Sequence, residues 1–252
     1  MKITFLGTGT SSGVPLPTCT CEVCTSKDPR DNRLRCSCMV ETDDGKIILV
    51  DCGPDFRQQA LRSGLSHLDA LLVTHNHFDH IAGLDDLRAF SYTKPLPVYA
   101  DSLVSESFRS RFDYIFVHRY PGTPKLELHT VMPEETFQIG DTTIQPLLVY
   151  HGQLPIYGWC IGGLAYITDC THIPESEWKK LENVDTLVLD ALRWTEHPTH
   201  YSVQQALAVV ERMRPRQTYF THMCHDIGLY AETEKKLPEG VHLAYDGLVV
   251  NL

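Results

Sequence analysis

The segment Thr74-His75-Asn76-His77-Phe78-Asp79-His80 places four metal-capable side chains within six residues, spaced H-x-H-x-D-H. Imidazole-rich ligation suits zinc, and the carboxylate also tolerates manganese or iron. If the chain is extended at its start, His75 and His77 share one face. Asp79 and His80 then follow where the strand must turn, ahead of the apolar Ile81-Ala82-Gly83-Leu84. Two ligands on one face and two round a corner can serve two metals on opposite sides of a gap.

The same pattern recurs along the chain. Leu71-Leu72-Val73-Thr74 runs into His75, Ala165-Tyr166-Ile167-Thr168 into Asp169, and Thr218-Tyr219-Phe220-Thr221 into His222. His151 follows another apolar stretch. Buried strands that end on a polar residue deliver it to the rim of a sheet, where α/β proteins place their sites. Any one such end could be a simple polar stop, but four of them beside a histidine cluster describe a dinuclear centre. His75, His77 and His151 are expected to hold one metal, and Asp79, His80 and His222 the other. Asp169 bridges, because one carboxylate has an oxygen for each ion. Two such ions share a water, lower its pKa towards neutrality and clamp a phosphoryl or acyl oxygen. Asp51 and Asp190, both at the ends of apolar runs, are expected to orient ligands from behind.

The elements that must position these residues are legible from pattern. Strands are expected at 2–6, 37–42, 46–51, 70–73, 98–100, 125–131, 136–139, 142–149, 157–161, 164–168, 186–190, 217–220, 241–244 and 248–252. Helices are expected at 54–63, 101–111, 174–181, 202–213 and 229–236, and Ser202-Val203-Gln204-Gln205 matches a capping box. The stretch 115–124 fits no element. Residues 13–35 are polar, cysteine-rich and aperiodic, a loop long enough to require an internal clamp. The opening Gly7-Thr8-Gly9-Thr10-Ser11-Ser12-Gly13 is not a dinucleotide fingerprint: its third glycine is one residue late, and Pro15 and Pro17 occupy the place of the helix. It is expected instead to bring backbone close to a site.

The chain has 252 residues, 42% hydrophobic and 21% charged, as expected for a globular protein with a substantial core. With no linker or low-complexity segment, residues 1–252 are expected to form one domain. The net charge of −10 argues against a broad nucleic-acid or anionic-membrane surface. No apolar run suggests a signal peptide or a membrane span, so a cytoplasmic location is expected. Nine cysteines, three of them in Cys19-x-Cys21-x-x-Cys24, then read as reduced thiols rather than a disulfide framework.

At Asp51, His75-x-His77-x-Asp79-His80, His151, Asp169 and His222 the sequence resembles the metallo-β-lactamase superfamily. The resemblance implies an α/β fold, an αββα sandwich with a dinuclear metal site at the strand ends. It leaves the reaction open, because thioesterases, lactonases, nucleases and oxidoreductases share these motifs. The opening glycine-rich segment, continuing through Val14-Pro15, looks like the phosphodiesterase branch, which includes tRNA 3′-processing endonucleases. The cluster Cys19, Cys21 and Cys24, with Thr221-His222-Met223-Cys224-His225 downstream, looks like PhnP-type phosphodiesterases, in which three cysteines and one histidine hold a structural zinc. The matching histidine is His225, and such a Cys₃His site would staple the loop at about 13–36. Cys36, Cys38 and Cys224 compete for the same role. His200, just ahead of the Ser202 helix, matches that family's proposed general acid.

The resemblance implies a metal-dependent phosphoric diester hydrolase acting on small cyclic phosphodiesters, such as phosphoribosyl 1,2-cyclic phosphate in phosphonate breakdown or 2′,3′-cyclic nucleotides. Attack would come from a metal-bridging hydroxide, with Asp79 among the catalytic ligands and His200 as the acid. Cofactors would be two divalent ions, manganese or zinc, and one structural zinc. The expected partner is a small phosphodiester, with neither membrane nor nucleic acid; a homodimer stays open, as does a phosphate contact from Arg193. The alternatives are a tRNA 3′-processing-type endoribonuclease, for which the sequence lacks a Gly/Pro- and Lys-rich arm, and a non-enzymatic metal-binding protein.

Overall fold

The computed structural model describes residues 1–118 and 120–252. Residue 119, inside the stretch left without an element, lies outside the described residues. Two seven-stranded sheets face one another. The first is built from β1 (Lys2–Gly7), β2 (Ser37–Glu41), β3 (Ile47–Val50), β4 (Ala70–Leu72), β5 (Leu96–Ala100) and β6 (Leu126–Thr130), with the last strand of the chain, Val249–Asn251, added to its edge. The second contains β7 (Phe137–Ile139), β8 (Thr142–His151), β9 (Leu154–Ile161), β10 (Leu164–Ile167), β11 (Thr186–Asp190), β12 (Gln217–Thr221) and β13 (Val241–Leu243). Helices α1 (Phe56–Ser63), α2 (Phe78–Ile81), α3 (Ser102–Arg111) and α4 (Asp113–Phe116) lie with the first sheet, and α5 (Val203–Met213) and α6 (Tyr230–Thr233) with the second.

Alternation explains the layering. In β3, Ile48 and Val50 join Trp159 and Tyr166 in the core between the sheets, while Ile47 and Leu49 pack outward against Phe56 and Ala60 of α1. Strands covered on both faces read as unbroken apolar runs, which is why β3, β10 and β11 were visible in the sequence. On the outer face of the second sheet, Leu187, Leu189 and Phe220 meet Val203, Ala206 and Val209 of α5. This is the αββα sandwich.

Strand direction gathers the site. β3 to β6 run parallel in one sheet, and β10 to β13 in the other. Asp51, Asp169 and His222 lie at or just beyond the C-terminal ends of β3, β10 and β12, and Asp190 ends β11. β8 is antiparallel to β9, which is antiparallel to β10, so β8 ends at the same edge as β10 and carries His151 there. The two sheets are bonded at that edge: the Tyr157 amide donates to the Thr74 carbonyl at 3.0 Å, and the Trp159 indole to the Val73 carbonyl at 3.3 Å.

Several expected boundaries move. Segment 174–181 is helical as expected, in 3₁₀ form over Glu175–Leu181, and 229–236 is one α-turn, α6, followed by a 3₁₀ turn. β8 and β9 extend to meet at a tight hairpin, so His151 is a strand residue paired with Leu154. Asp79 and His80 sit in a helical turn, α2. The opening glycines approach backbone other than the ligands themselves. A Cβ on Gly7 would meet the Arg35 carbonyl oxygen at 2.0 Å, while the Thr10 amide donates to Met223, the neighbour of His222. The capping box on α5 forms as expected from Ser202 and Gln205.

The turn after β3 is locked against α2. The Cys52 amide donates to the His80 carbonyl at 2.7 Å, and the Gly83 amide to the Cys52 carbonyl at 2.8 Å. This closeness requires Gly53, where a Cβ would meet the Asp79 carbonyl oxygen at 1.9 Å. Gly53→Ala is therefore expected to cost about 1–3 kcal/mol through forced backbone displacement. A denaturation midpoint equal to that of the unaltered protein would contradict this packing.

Candidate metal centre

Three of the inward-facing imidazoles, His75, His80 and His151, are fixed from behind. His80 Nδ1–H donates to Asp51 Oδ2 at 2.7 Å. The same Asp51 carboxylate accepts the Thr74 amide and the Thr74 hydroxyl, both at 2.8 Å, and the Thr74 hydroxyl oxygen lies 3.0 Å from His75 Nδ1. One buried carboxylate thus orients His80 directly and His75 through a hydroxyl. His151 Nδ1–H donates to the Thr199 carbonyl at 2.6 Å. Pinning one ring nitrogen as the N–H leaves the other free to bind a metal.

The far nitrogens converge on Asp169. Its Oδ2 lies 3.2 Å from His80 Nε2 and 3.3 Å from His222 Nε2. Its Oδ1 lies 3.9 Å from His75 Nε2 and 4.0 Å from His151 Nε2. Asp79 Oδ2 completes the first set, 3.1 Å from His80 Nε2 and 3.6 Å from His222 Nε2. His75, His77, His151 and Asp169 come together as one ligand group, and Asp79, His80 and His222 as another. His200 joins the same space, grouped with Asp169 and His222. All the expected ligands are therefore brought together, in the two expected sets, with one oxygen of Asp169 facing each.

The residues fit metal ions on their own chemistry. His75 Nε2, His80 Nε2 and His222 Nε2 are buried and find no hydrogen-bond partner among the described residues. Buried polar atoms left so are costly unless something binds them. Burial drives the pKa of His75, His77 and His151 down, so these rings are neutral and their lone pairs available. His80 is the exception: burial opposes its charge, but Asp79, Asp169 and Asp51 surround it and raise its pKa. A proton on His80 is the smallest cation that this ring of carboxylates can take.

Three site residues, Asp51, Asp169 and His222, adopt φ of 60°, 52° and 59° within two residues of the ends of β3, β10 and β12. This left-handed backbone is uncommon for residues with a Cβ and costs of order 1–3 kcal/mol each. It turns each side chain off its strand axis and into the centre. No sequence signal marks it, because the favoured glycine is excluded by the need for a ligand. Sequence reading also missed the three threonines as functional. Besides Thr74, Thr168 donates to Asp169 Oδ2 at 2.8 Å, and Thr221 lies 3.2 Å from the buried Cys36 thiol. The Thr repeat was the available signal.

A second cluster stands apart. Cys19, Cys21 and Cys24 place their sulfurs 3.3, 3.4 and 3.4 Å from His225 Nδ1. A tetrahedral zinc with bonds of about 2.3 Å to sulfur and about 2.0 Å to nitrogen separates those atoms by about 3.5 Å. Cys36 and Cys38 lie in the core between the sheets, and Cys224 is outside the cluster, so none competes for it. The Cys24 amide holds the Cys21 thiol down to about 6, whereas burial and the neighbouring sulfurs push Cys24 up to about 11. One thiolate forms readily and its charge opposes the next; a divalent cation removes that conflict. Cys21→Ser is expected to remove about one equivalent of zinc and lower thermal stability, with the Asp169 centre still able to load. Elemental analysis showing unchanged zinc would remove this staple. Arg193 is committed elsewhere, 3.6 Å from Asp226 and bonded to loop carbonyls.

Comparison with known proteins agrees with this geometry. The family model of the beta-lactamase superfamily domain matches residues 46–223. A crystal structure described as a new diphosphatase from the PhnP family superposes with a TM-score of 0.92 at 41% identity, covering 100% of this chain and 97% of that one. Zinc-bound PqqB from Methylobacterium extorquens superposes with a TM-score of 0.79 at 21% identity over the full length of both chains, a likeness of fold. An octanoyltransferase from Porphyromonas gingivalis is 44% identical over 250 residues, 98% of this chain but 51% of that protein, so the chain spans about half its length. Among the described residues no helix is long and apolar enough to cross a membrane. The match over both sheets, and over nearly all of a PhnP-family structure, establishes that this chain belongs to the beta-lactamase superfamily, in its PhnP branch.

Proposed function

We propose that this metallo-β-lactamase-fold hydrolase is a metal-dependent phosphodiesterase acting on small phosphodiesters, cyclic ones included. The observation that carries the reading is the placement of His200 beside Asp169 and His222, backed by a buried carboxylate. His200 Nδ1–H donates to Asp190 Oδ2 at 3.0 Å, and its ring stacks on His222 at 4.9 Å between centroids. Burial opposes the imidazolium, but Asp190, by charge and hydrogen bond, raises the His200 pKa above its ordinary value. With Nδ1 committed to Asp190, Nε2–H is the proton the ring can give away. A protonated donor beside the ligand cluster serves a reaction that must expel a poor leaving group, such as a sugar alkoxide.

Two divalent ions, manganese or zinc, would supply positive charge and a water of lowered pKa. The chain's own residues do the rest. Asp169 faces both ligand sets, Asp51 holds His75 and His80 in one tautomer, and Thr199 holds His151. His200 protonates the departing oxygen. The Cys19, Cys21, Cys24 and His225 cluster lies outside this chemistry and would take a third ion, zinc. We infer a single domain over residues 1–252, with a small phosphodiester as its partner.

One finding favours a second reading, a diphosphatase: the similar PhnP-family structure carries that description. A phosphate leaving group departs with little help from an acid, so a His200 held by Asp190 speaks for an alkoxide. Octanoyl transfer is the description of a protein about twice this length, of which this chain spans about half.

Metal-loaded protein is expected to turn over bis(p-nitrophenyl) phosphate, with little phosphomonoesterase or lactamase activity. Good thioester hydrolysis with no diester cleavage would reject the proposal. His200→Ala is expected to lose roughly 10²–10⁴-fold on a diester with an alkyl leaving group, and far less on one that releases p-nitrophenolate. Equal losses on both, with metal content unchanged, would mean that His200 is not the acid.

A further inference from the structure

The loop 192–202 carries Thr199 and His200, and three contacts clasp it to the segment that carries His225. The Cys224 amide donates to the Leu192 carbonyl at 3.0 Å. The Trp194 indole N–H donates to the Ile227 carbonyl at 3.0 Å. The Arg193 guanidinium lies 3.6 Å from the Asp226 carboxylate. Arg193 also gathers its own loop, with Nε and Nη2 donating to the Thr195 and Glu196 carbonyls at 3.4 and 3.2 Å.

The neck of this loop is closed. The Leu192 amide donates to Tyr201 at 3.0 Å and the Val203 amide to Arg193 at 2.9 Å. A closed neck passes displacement on instead of absorbing it, so a shift at 193–194 reaches 199–200. There it meets two site groups at once: the Thr199 carbonyl that orients His151, and His200 itself. The other end of the clasp is a three-residue 3₁₀ turn, His225–Ile227. A turn that short has too few hydrogen bonds to be rigid alone. At its first residue the anchor is the cysteine cluster around His225, and at its last the Thr233 hydroxyl donates to the Ile227 carbonyl at 2.9 Å.

We propose that Arg193 and Trp194 are positioning residues, which set the placement of Thr199 and His200 from the cysteine–histidine staple. The staple then does more than close the loop at 13–36: it holds one wall of the reaction centre in register. The inference rests on the reading of His200 as the acid only in its rate measurement.

Hydrogen–deuterium exchange read by mass spectrometry tests it on the full chain without substrate. Cys21→Ser and Trp194→Phe are each expected to speed exchange across 192–203, where the Leu192, Tyr201 and Val203 amides are hydrogen-bonded, about fivefold, the factor that one lost hydrogen bond supplies. Exchange in β11 should not change. Trp194→Phe keeps the ring and should keep its zinc, and it decides the matter alone if Cys21→Ser fails to fold. Trp194→Phe should also slow cleavage of the alkyl diester more than that of the p-nitrophenyl diester. Unchanged exchange across 192–203 in Trp194→Phe, or in Cys21→Ser protein that has lost its zinc, would overturn the proposal. No slowing of either ester would also overturn it, by reducing the clasp to a packing role. If the unaltered protein cleaves neither ester, the diesterase reading fails and the exchange result alone judges the clasp.

Discussion

Asp169 sits between two sets of imidazoles and faces each with a different oxygen, and this division governs the metal end of the molecule. A buried carboxylate must be compensated. Here the compensation comes from His80 and His222 on one side and from His75 and His151 on the other. Those imidazoles can turn their bare nitrogens inward only if their N–H groups are held outward. Asp51, Thr74 and Thr199 are placed to hold three of the four. Removing Asp51 would orphan the Thr74 amide, the Thr74 hydroxyl and the His80 ring together, at about 1–3 kcal/mol for each buried group left unpaired. The parallel strands at the centre of each sheet exist, functionally, to bring these partners to one edge.

How much of this was legible depended on the kind of information each residue carries. The ligands were legible because metal chemistry accepts few side chains, and because β4, β10 and β12 each run into a threonine followed by a ligand. The two-set division followed from the spacing of the 75–80 motif and from the two oxygens of Asp169. The capping box of α5 was legible because both of its partners are local. What sequence could not carry was backbone conformation. Nothing in Asp51, Asp169 or His222 announces a positive φ, since the residue that would announce it, glycine, cannot serve as ligand or orienting carboxylate. The Glu175–Leu181 segment was legible as helical, but a proline ahead of apolar and charged residues marks a helical start without choosing between α and 3₁₀ geometry. The hairpin around Gly152 was missed because His151 and Leu154 pair through backbone, which is blind to side-chain pattern.

The second cluster shows how a loop of more than twenty residues can belong to a compact domain. The segment 13–35 contains one short 3₁₀ turn, Pro29–Asp31, and little other regular structure. It is held instead by point contacts: the Cys19, Cys21 and Cys24 sulfurs around His225, the Asp31 carboxylate accepting the Tyr230 amide at 2.7 Å, and Val14 paired with Arg33. All but the last reach the stretch 225–230, just past the ligand His222. The loop and the reaction centre are therefore two ends of one short piece of chain, so a disturbance at the cysteines has a direct route to the catalytic edge.

The central claim is that Asp169 divides the centre between two ions. An anomalous diffraction map from crystals of the metal-loaded protein addresses it most directly. The account predicts three peaks: one among His75, His77 and His151, one among Asp79, His80 and His222, with Asp169 between them, and a third within the cysteine cluster. A single peak on one side of Asp169, at full loading, would contradict it.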